Sequence, residues 1–268
     1  MRSLFCILLC LITFEAFTQN DGLLYLFKKD WSPAKNIDQA TYFMHVEKEN
    51  DTVYTCRYYN KAGPMIKWET YSDSGLEKPN GIFAWYNAKG RLDSSGMVNN
   101  GRKDKDWFYN YDDSLRAQVK EYYENGHFIS RTNYLTKTIT LPDGKTEPLD
   151  KPQPKDSVGD KTFTVTQVAA EFEGGLKGWM AYLSNNLKTP DRFISLSRPG
   201  TKATVGIDFY VNKEGFISGV FIHHSYEWSV DTEAMRVVKT SPRWKPAVQN
   251  GKNVIYRHRQ SITFSVSN

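Results

Sequence analysis

The sequence predicts an α+β protein: an antiparallel β-hairpin repeat region, a linker, and a C-terminal domain of two helices on a three-stranded antiparallel sheet. Three observations predict this fold class. Strand-favouring aromatic residues are plentiful, with 16 Tyr, 15 Phe and 7 Trp in 268 residues. Strand-like segments alternate with glycine turns in the first half of the chain. Beyond residue 162 the pattern changes to helix, strand, strand, helix, strand.

The composition indicates a packed core and gives no sign of a nucleic-acid partner. Hydrophobic residues make up 40% of the chain and aromatic residues 14%, which argues against general disorder. The net charge is +5, but acidic residues are interspersed among the basic ones, so no basic stripe forms. We therefore expect no nucleic-acid binding.

Residues 1–18 have the layout of a cleaved secretory signal peptide. Arg2 gives a basic start, residues 4–14 are an apolar run, and residues 16–18 end the segment before Gln19. A membrane-spanning helix needs about 20 apolar residues, so a permanent anchor is the weaker hypothesis. The sequence predicts an exported protein that is periplasmic or associated with the outer membrane.

Cysteine usage predicts a fold held together by packing alone. Cys6 and Cys10 lie in the predicted signal peptide, which leaves Cys56 as the single cysteine of the mature chain. No internal disulfide can then form. Cys56 stands among strand-forming residues, so we expect a buried, small apolar side chain rather than a nucleophile.

Residues 19–140 are predicted to form the β-rich region. Residues 24–27 and 41–46 are aromatic and β-branched, and the charged residues 47–51 indicate a turn. An aromatic residue followed by a polar turn ending in glycine then recurs, at residues 59–63, 85–90 and 122–126. Such recurrence is typical of stacked hairpins, in which neighbouring units complete one core. A stacking surface for sugars or bases is the alternative role of these aromatic residues.

Two segments of this region have a recognisable pattern. Residues 81–90 read Gly-x-Phe-x-Trp-Tyr-x3-Gly, and residues 96–109 read Gly-x4-Gly-x5-Trp-x-Tyr. These patterns resemble the β-hairpin repeats of the MORN type and of related antitoxin-like repeat proteins, over residues 59–130. Residues 112–114 depart from the expected Glu-Asn-Gly turn. The resemblance implies a β scaffold with an interaction surface rather than catalysis.

Residues 141–162 are predicted to be a linker. They contain Pro142, Pro148, Pro152 and Pro154 among polar residues, and proline favours an extended chain. At ~3.1 Å per residue, such a linker spans about 60 Å at most. We expect it to let the two domains move independently.

Residues 163–268 are predicted to form the C-terminal domain. A first helix opens at Gly174 and Gly175 and ends before Pro190. Residues 205–211 alternate as a half-buried strand, which turns and returns over residues 216–224. The last strand covers residues 254–266. The apolar face expected for the first helix consists of Leu176, Trp179, Met180, Leu183 and Leu187.

The second helix precedes the last strand. Ala234, Val237 and Val238 follow the helical period and give it one apolar face. Asp231 is the predicted N-cap of this helix. Glu233 is predicted to place negative charge in its first turn, where the helix dipole favours it.

A rigid loop follows the second helix. Pro242 and Pro246 cannot continue a helix and fix two bends, so Trp244 is held between them. We expect Trp244 to lie in the core. Asn250 and Gly251 indicate a turn into the last strand.

Seven motifs identify the family that this domain resembles. They are Phe-Glu-Gly-Gly at 172–175, Tyr-Leu-Ser-Asn-Asn-Leu-Lys at 182–188, Val-Asn-Lys-Glu-Gly at 211–215, Asp-Thr-Glu-Ala at 231–234, Arg-Val-Val-Lys at 236–239, Ser-Pro-Arg-Trp-Lys-Pro-Ala at 241–247 and Gln-Asn-Gly-Lys at 249–252. Together they resemble the C-terminal domain of the energy transducer TonB, over about residues 168–268. The departures are Glu173 and Ser261, where proline is usual, and Thr189, where an aromatic residue is usual.

The resemblance implies a fold and a kind of partner. The partner that it implies is a short segment of an outer-membrane receptor. Energy transduction does not transfer, because a transducer needs an uncleaved membrane helix and a long proline-rich span. This chain has a signal-like start and a short predicted linker instead.

The sequence predicts no metal site and no cofactor. His223 and His224 are neighbours in a strand, so their side chains should point to opposite faces and cannot both coordinate one metal ion. Adding Glu227 or Glu233 produces no recognised ligand spacing.

The sequence also predicts no enzyme activity. Glu121 and Glu124 flank a glycine turn and are expected to be solvated. Ser225 lacks the glycine context of a catalytic serine. Gly174 and Gly175 could hold an anion at a helix start, although close backbone packing is the simpler role.

The functional hypothesis concerns the last strand. If it lies at a sheet edge, its free N–H and C=O groups can pair with an extended partner peptide. Basic side chains there would favour an acidic segment. The predicted partner-binding residues are Val254, Ile255, Tyr256, Arg257, His258 and Arg259.

Two alternatives stay open. The charges on the last strand could instead protect a sheet edge from aggregation. The protein could also be a structural, self-assembling envelope scaffold whose copies form a homodimer through this strand, which would leave no edge for a receptor.

Overall fold

A computed structural model describes residues 23–149, 162–163 and 168–267. The predicted signal peptide and most of the predicted linker lie outside these residues. The first structural unit is an antiparallel sheet whose strands follow one another in chain order. Its eleven strands are β1 Leu23–Phe27, β2 Tyr42–Asn50, β3 Val53–Asn60, β4 Met65–Tyr71, β5 Gly81–Tyr86, β6 Leu92–Asn99, β7 Arg102–Tyr111, β8 Ala117–Glu124, β9 His127–Asn133, β10 Thr138–Thr140 and β11 Thr146–Pro148.

Tight turns join neighbouring strands of this sheet. Asn100 and Gly101 have φ of 48° and 76°, and Asn125 and Gly126 have φ of 49° and 88°. Two-residue hairpin loops require this left-handed backbone, which asparagine and glycine adopt at low cost. The hairpins predicted from the recurring turns are therefore confirmed as one sheet. The charged turn predicted at 47–51 is shorter, because β2 continues to Asn50 and pairs there with Val53.

The start of the predicted linker belongs to this sheet. Thr138 pairs with Pro148 and Thr140 with Thr146, so residues 141–149 are a hairpin turn and an edge strand. Gly144, at a φ of 82°, closes that turn. Pro148 is compatible with an edge strand, because an edge residue needs no N–H on its open side. Residues 150–161 of the predicted linker lie outside the described residues.

The second unit is a mixed helix and sheet domain. Its elements are β12 Thr162–Phe163, α1 Gly175–Asn186, α2 Asp191–Leu196, β13 Lys202–Val211, β14 Ile217–His224, α3 Trp228–Lys239, β15 Ala247–Gln249 and β16 Lys252–Ser265. The strand order is β12-β16-β13-β14, and β15 also pairs with β16. The expected layout of two helices and three strands thus lacks α2, β12 and β15. These three elements are too short to leave a periodic pattern in the sequence.

Helix α1 begins at Gly175, as predicted, but its apolar face is only partly covered. Trp179 is buried, whereas Leu176 and Met180 are 75% and 59% exposed. Trp179 packs on Phe172 and Trp244, with ring centroids 5.3 Å away in both cases. The helix therefore contacts the domain through a narrow line of residues rather than through a broad face.

Helix α3 begins earlier than predicted. Its N-cap is Glu227, whose carboxylate accepts a hydrogen bond from the Val230 N–H at 3.0 Å. Asp231 is consequently inside the first turn and fully buried. Glu233 lies beyond the first turn, where it pairs with Arg236 at 2.7 Å. A glutamate can reach the free N–H groups of a helix start, so the capping position shifts from Asp231 to Glu227.

Trp244 lies in the core, as the two prolines predict. Its ring packs against Phe172, Phe209 and His258, with centroid distances of 5.5, 5.3 and 4.9 Å. The backbone N–H of Trp244 donates to the Gly215 carbonyl at 2.9 Å. A Cβ at Gly215 would lie 2.1 Å from the Trp244 carbonyl oxygen, so only glycine permits this approach.

The two units share one hydrophobic core. Phe43, Tyr59, Met65, Trp68 and Tyr86 of the large sheet belong to the same buried cluster as the core of the second unit. Phe221 of β14 packs on Trp68, and Trp228 of α3 packs edge-on against Phe43. The prediction that the two domains move independently is therefore wrong. One face of β2 to β5 is apolar, and packing against α3 and β14 removes it from water.

The aromatic residues on the opposite face of the large sheet also pack together. Phe83, Val98 and Trp107 form a buried cluster there. Trp85 and Trp107 have ring centroids 6.0 Å apart, and Lys103 lies 4.5 Å from the Trp107 ring. This arrangement supports the packing role rather than a stacking surface for ligands.

The shared core gives a first testable prediction. A chain that starts at residue 162 should melt at a lower temperature than the full chain, because Met235 and Trp228 lose their cover from the large sheet. Amide hydrogen exchange in α3 should also become faster. Differential scanning calorimetry and exchange on both chains test this. Equal melting temperatures and equal protection of α3 would contradict a stabilising contact between the units.

Candidate protein-binding site

The last strand, β16, has an open edge over only part of its length. On one side, residues 256–265 pair with β13. On the other side, β15 covers residues 252–254, and β12 pairs with Ile255 and Tyr256. Within the described part of the chain, no second strand pairs with residues 257–265. The open edge is thus shorter than predicted and lies closer to the C-terminus.

Three of the predicted binding residues are therefore already paired. Val254 pairs with Ala247 of β15, and Ile255 and Tyr256 pair with Thr162 and Phe163 of β12. The two-residue β12 left no signal in the sequence that could have indicated this cover. Among residues 23–149, 162–163 and 168–267, no strand covers the backbone of β16 from Arg257 onward, and we refer to this part as the open edge.

The backbone direction along this edge follows from one hydrogen bond. The Val266 N–H donates to the Thr201 carbonyl at 3.0 Å, on the side of β13. Successive N–H groups of a strand point to opposite sides. The N–H groups of Ser261, Thr263 and Ser265 therefore point away from β13, where an added strand would pair with them.

Arg257 and Arg259 both bind one buried carboxylate. Arg257 Nη2 lies 2.5 Å from Asp208 Oδ2, and Arg259 Nε lies 2.9 Å from Asp208 Oδ1. His223 Nδ1 is 3.3 Å from the same carboxylate. Burial alone would raise the pKa of Asp208, but the nearby His223 ring, the hydrogen bond from Arg259 and the charge of Arg257 hold that pKa well below its ordinary value. Asp208 thus fixes Arg257 and Arg259 on one face of β16, next to the open edge.

His258 faces the core. Its ring packs edge-on against Phe209 and Trp244, with centroids 5.2 and 4.9 Å away. Burial lowers the pKa of its imidazole, and one ring nitrogen lies 2.9 Å from the Gln260 amide nitrogen. The ring of His258 thus packs toward the core, and its role in partner binding stays a prediction.

A buried polar cluster joins the two units beneath this sheet. Ser225 Oγ donates to Asp231 at 2.5 Å and accepts from the Met65 N–H at 2.7 Å. The Tyr226 N–H also donates to Asp231, at 3.0 Å. Burial raises the pKa of Asp231 to about 7, against the effect of these donors. Ser225 is thus a bridge between the units.

Arginine side chains form the rest of the polar contact between the units. Arg192 pairs with Glu227 at 3.1 Å and also donates to the Lys61 carbonyl. Arg57 is fully buried, with one guanidinium nitrogen 2.6 Å from Glu47 and another 3.1 Å from the Met235 sulfur. These residues were not predicted from the sequence. A signal was present for Arg57, because it shares a strand face with Tyr59.

Close contact between the units also depends on a glycine. The Ser225 N–H donates to the Gly90 carbonyl at 2.8 Å. Gly90 has a φ of 74°, and a Cβ there would lie 2.0 Å from the Ser225 carbonyl oxygen. A residue with a side chain at position 90 would separate the two units.

The remaining candidate groups do not come together. Glu121 accepts a hydrogen bond from Tyr123, whereas Glu124 accepts one from Tyr122. Cys56 is buried, and burial raises the pKa of its thiol to about 12. Gly174 and Gly175 have left-handed φ of 78° and 63° at the start of α1. Over residues 23–149, 162–163 and 168–267, no group of three or more His, Cys, Asp or Glu could hold a metal ion.

A sheet whose last strand is partly uncovered is suited to binding an extended peptide. Residues 196–266 match the family model described as Gram-negative bacterial TonB protein C-terminal. The second unit therefore contains a TonB C-terminal domain. No curated protein and no solved structure matches the chain.

The family match covers the part of the second unit from the end of α2 through β16. The resemblance of residues 59–130 to MORN-type repeats stays a prediction. Among the helices of the described residues, none is long and apolar enough to cross a membrane.

Proposed function

We propose that this protein is a non-enzymatic envelope protein that binds an extended segment of another envelope protein by strand addition. The added strand pairs with residues 257–265 of β16. The observation that carries this proposal is the open edge of β16 within a TonB C-terminal domain. Unpaired N–H and C=O groups at a sheet edge supply main-chain affinity for an extended peptide.

The charge beside the edge favours an acidic segment. Arg257 and Arg259 stand on one face of β16 and share a single carboxylate, Asp208, so this face keeps a positive excess. A TonB-dependent outer-membrane receptor is the partner that we propose first. Energy transduction is not part of the proposal.

A second copy of the protein is the competing occupant of the same edge. Ser261, Thr263 and Ser265 are exposed polar residues of moderate size, which would let two β16 edges approach each other. Analytical ultracentrifugation of the full chain separates the two hypotheses. A stable dimer that a β16 edge substitution dissociates would favour self-assembly, whereas a monomer leaves the edge free for a partner.

Strand addition predicts the effect of one proline. Thr263→Pro removes an N–H that points away from β13, so it should spare the sheet and weaken partner binding. Loss of one or two hydrogen bonds should reduce binding by about tenfold. The measurement is recovery of outer-membrane proteins from envelope extracts by the full chain.

Thr263→Ala is the matched control, because it also removes the hydroxyl that lies 3.0 Å from the Thr204 hydroxyl but keeps the N–H. Circular dichroism checks that both variants fold. Equal recovery by the proline and alanine variants, or recovery of no outer-membrane protein by the unaltered chain, would contradict binding by strand addition to a receptor.

A further inference from the structure

A cleft lies between the two units beside the open edge. Its volume is about 640 Å³. The turn between β5 and β6 and the turn between β7 and β8 form one wall. His223, His224, Arg259 and Ser261 of the second unit line the other side. The cleft therefore exists only because the large sheet is packed against the TonB C-terminal domain.

Gly206 makes room for the His223 ring, which lines the cleft. Gly206 of β13 pairs with His224 of β14 on one side and with Ser261 of β16 on the other. A Cβ at Gly206 would lie 2.3 Å from the His223 ring. The register of β14 shifts between these pairs, so His223 and His224 both line the cleft, although neighbours in a regular strand would point to opposite faces. The cleft thus runs from His224 to the open edge at Ser261.

Positive charge exceeds negative charge around the cleft. Asp113 and Asp112 are already paired with Arg91 and Arg116. Asp208 has two arginines, Arg257 and Arg259. Among the described residues, the Lys89 ammonium at the cleft wall forms no ion pair.

The imidazole of His224 lies in the same positively charged environment. Burial lowers its pKa, and the charges of Arg91 and His223 lower it further. An anionic group that enters the cleft would therefore meet an excess of cations, whereas a cationic group would be repelled.

We propose that this cleft is the specificity pocket for an acidic side chain of the segment that adds to β16. Lys89 and Arg259 are the groups that bind its carboxylate. This inference rests on the proposed function, and it assigns the large sheet a role: it supplies Lys89 and one wall of the pocket.

The geometry of an added strand supports this assignment. Arg259 and Ser261 are on the same face of β16, since they are two residues apart. Side chains of an added strand that lie on this face would point along the cleft. Arg259 uses its Nε and Nη2 on Asp208, so its Nη1 group is left for a second carboxylate.

A displayed library of random nine-residue segments, selected on the full-length chain, tests the inference. Segments that bind the unaltered chain but not the Thr263→Pro variant bind at the open edge of β16. These segments should share a Glu or Asp at one fixed position. A synthetic peptide of such a binder is then compared with its Glu→Gln or Asp→Asn form. We expect the acidic form to bind the unaltered chain at least several-fold more tightly, and the preference to shrink at high salt.

Lys89→Glu should remove that preference, and Lys35→Glu is the control. Both lysines are exposed and both substitutions change the net charge equally, but Lys35 does not line the cleft. Edge-dependent binders without an acidic position, or a preference that survives Lys89→Glu, would overturn the pocket while leaving strand addition intact. Absence of any edge-dependent binder would overturn strand addition and the pocket together.

Discussion

Replacing Trp244 with alanine is expected to lower the free energy of unfolding by about 3–5 kcal/mol. Trp244 is 4% exposed and packs against Phe172, Trp179 and Phe209. The loop that carries it is fixed by two prolines, so the surrounding rings cannot collapse into the space that alanine leaves. The cost should therefore be near the upper part of this range. Urea unfolding followed by far-ultraviolet circular dichroism measures it.

Trp85→Ala is the matched control for this substitution. Trp85 is 37% exposed on the open face of the large sheet, so its removal should cost about 1 kcal/mol. A difference of this size separates a core tryptophan from a surface one. If both substitutions lowered stability equally, Trp244 would not have the central packing role that its contacts indicate.

Local signals in the sequence were sufficient for the longer strands, for the Asn-Gly hairpin turns and for Trp244. Asn-Gly pairs favour the left-handed backbone of tight hairpin turns, and prolines stop helices through their own ring. The start of α3 was missed for a related reason. Both Glu227 and Asp231 could cap it, and the choice depends on Ser225 and Met65, which hold Asp231 in the buried junction.

The contact between the two units could be predicted only in part. Arg57 and His45 share strand faces with Tyr59 and Phe43, which indicates that these polar groups are buried against something. The identity of that cover, α3, depends on residues more than 170 positions away, as the Arg57–Met235 contact shows. No local pattern encodes such a pairing.

The candidate binding site, too, could be predicted from the sequence only in part. Alternation in β16 predicted a strand with basic side chains, and this strand exists. Whether its edge is open depends on β12 and β15, which cover residues 252–256, and no other strand in the described part of the chain covers residues 257–265. The cleft beside that edge lies between the units, and their close contact requires Gly90, which reads as an ordinary turn glycine without the second unit in place.

Asp231 should make the stability of the protein depend on pH in the neutral range. Its pKa is about 7 in the folded protein and 3.8 in an unfolded chain, so folding takes up a proton between these values. The unfolding free energy contributed by Asp231 is therefore fully present below about pH 4 and falls as pH rises to about 7. The loss is at most about 4 kcal/mol for a shift of this size.

Other titrating groups act in the same range, so the test is a difference between two chains. His224 and His258 have pKa values lowered by burial, which gives the opposite slope below pH 6.5. Asp208 has a lowered pKa and loses its contribution only below its ordinary value of 3.8. Asp231→Asn keeps the size of the side chain and removes its titration, while both histidines stay in place.

Urea unfolding at pH 5 and pH 8 should therefore show the unaltered chain losing stability relative to Asp231→Asn as the pH rises. The polar contacts of Asp231 reach Met65 through Ser225, so the same change should loosen the junction between the units. Hydrogen exchange at the Met65 amide reports this directly, because that N–H donates to Ser225. Parallel stability profiles for the two chains would mean that the hydrogen-bond donors around Asp231, rather than its burial, decide its charge.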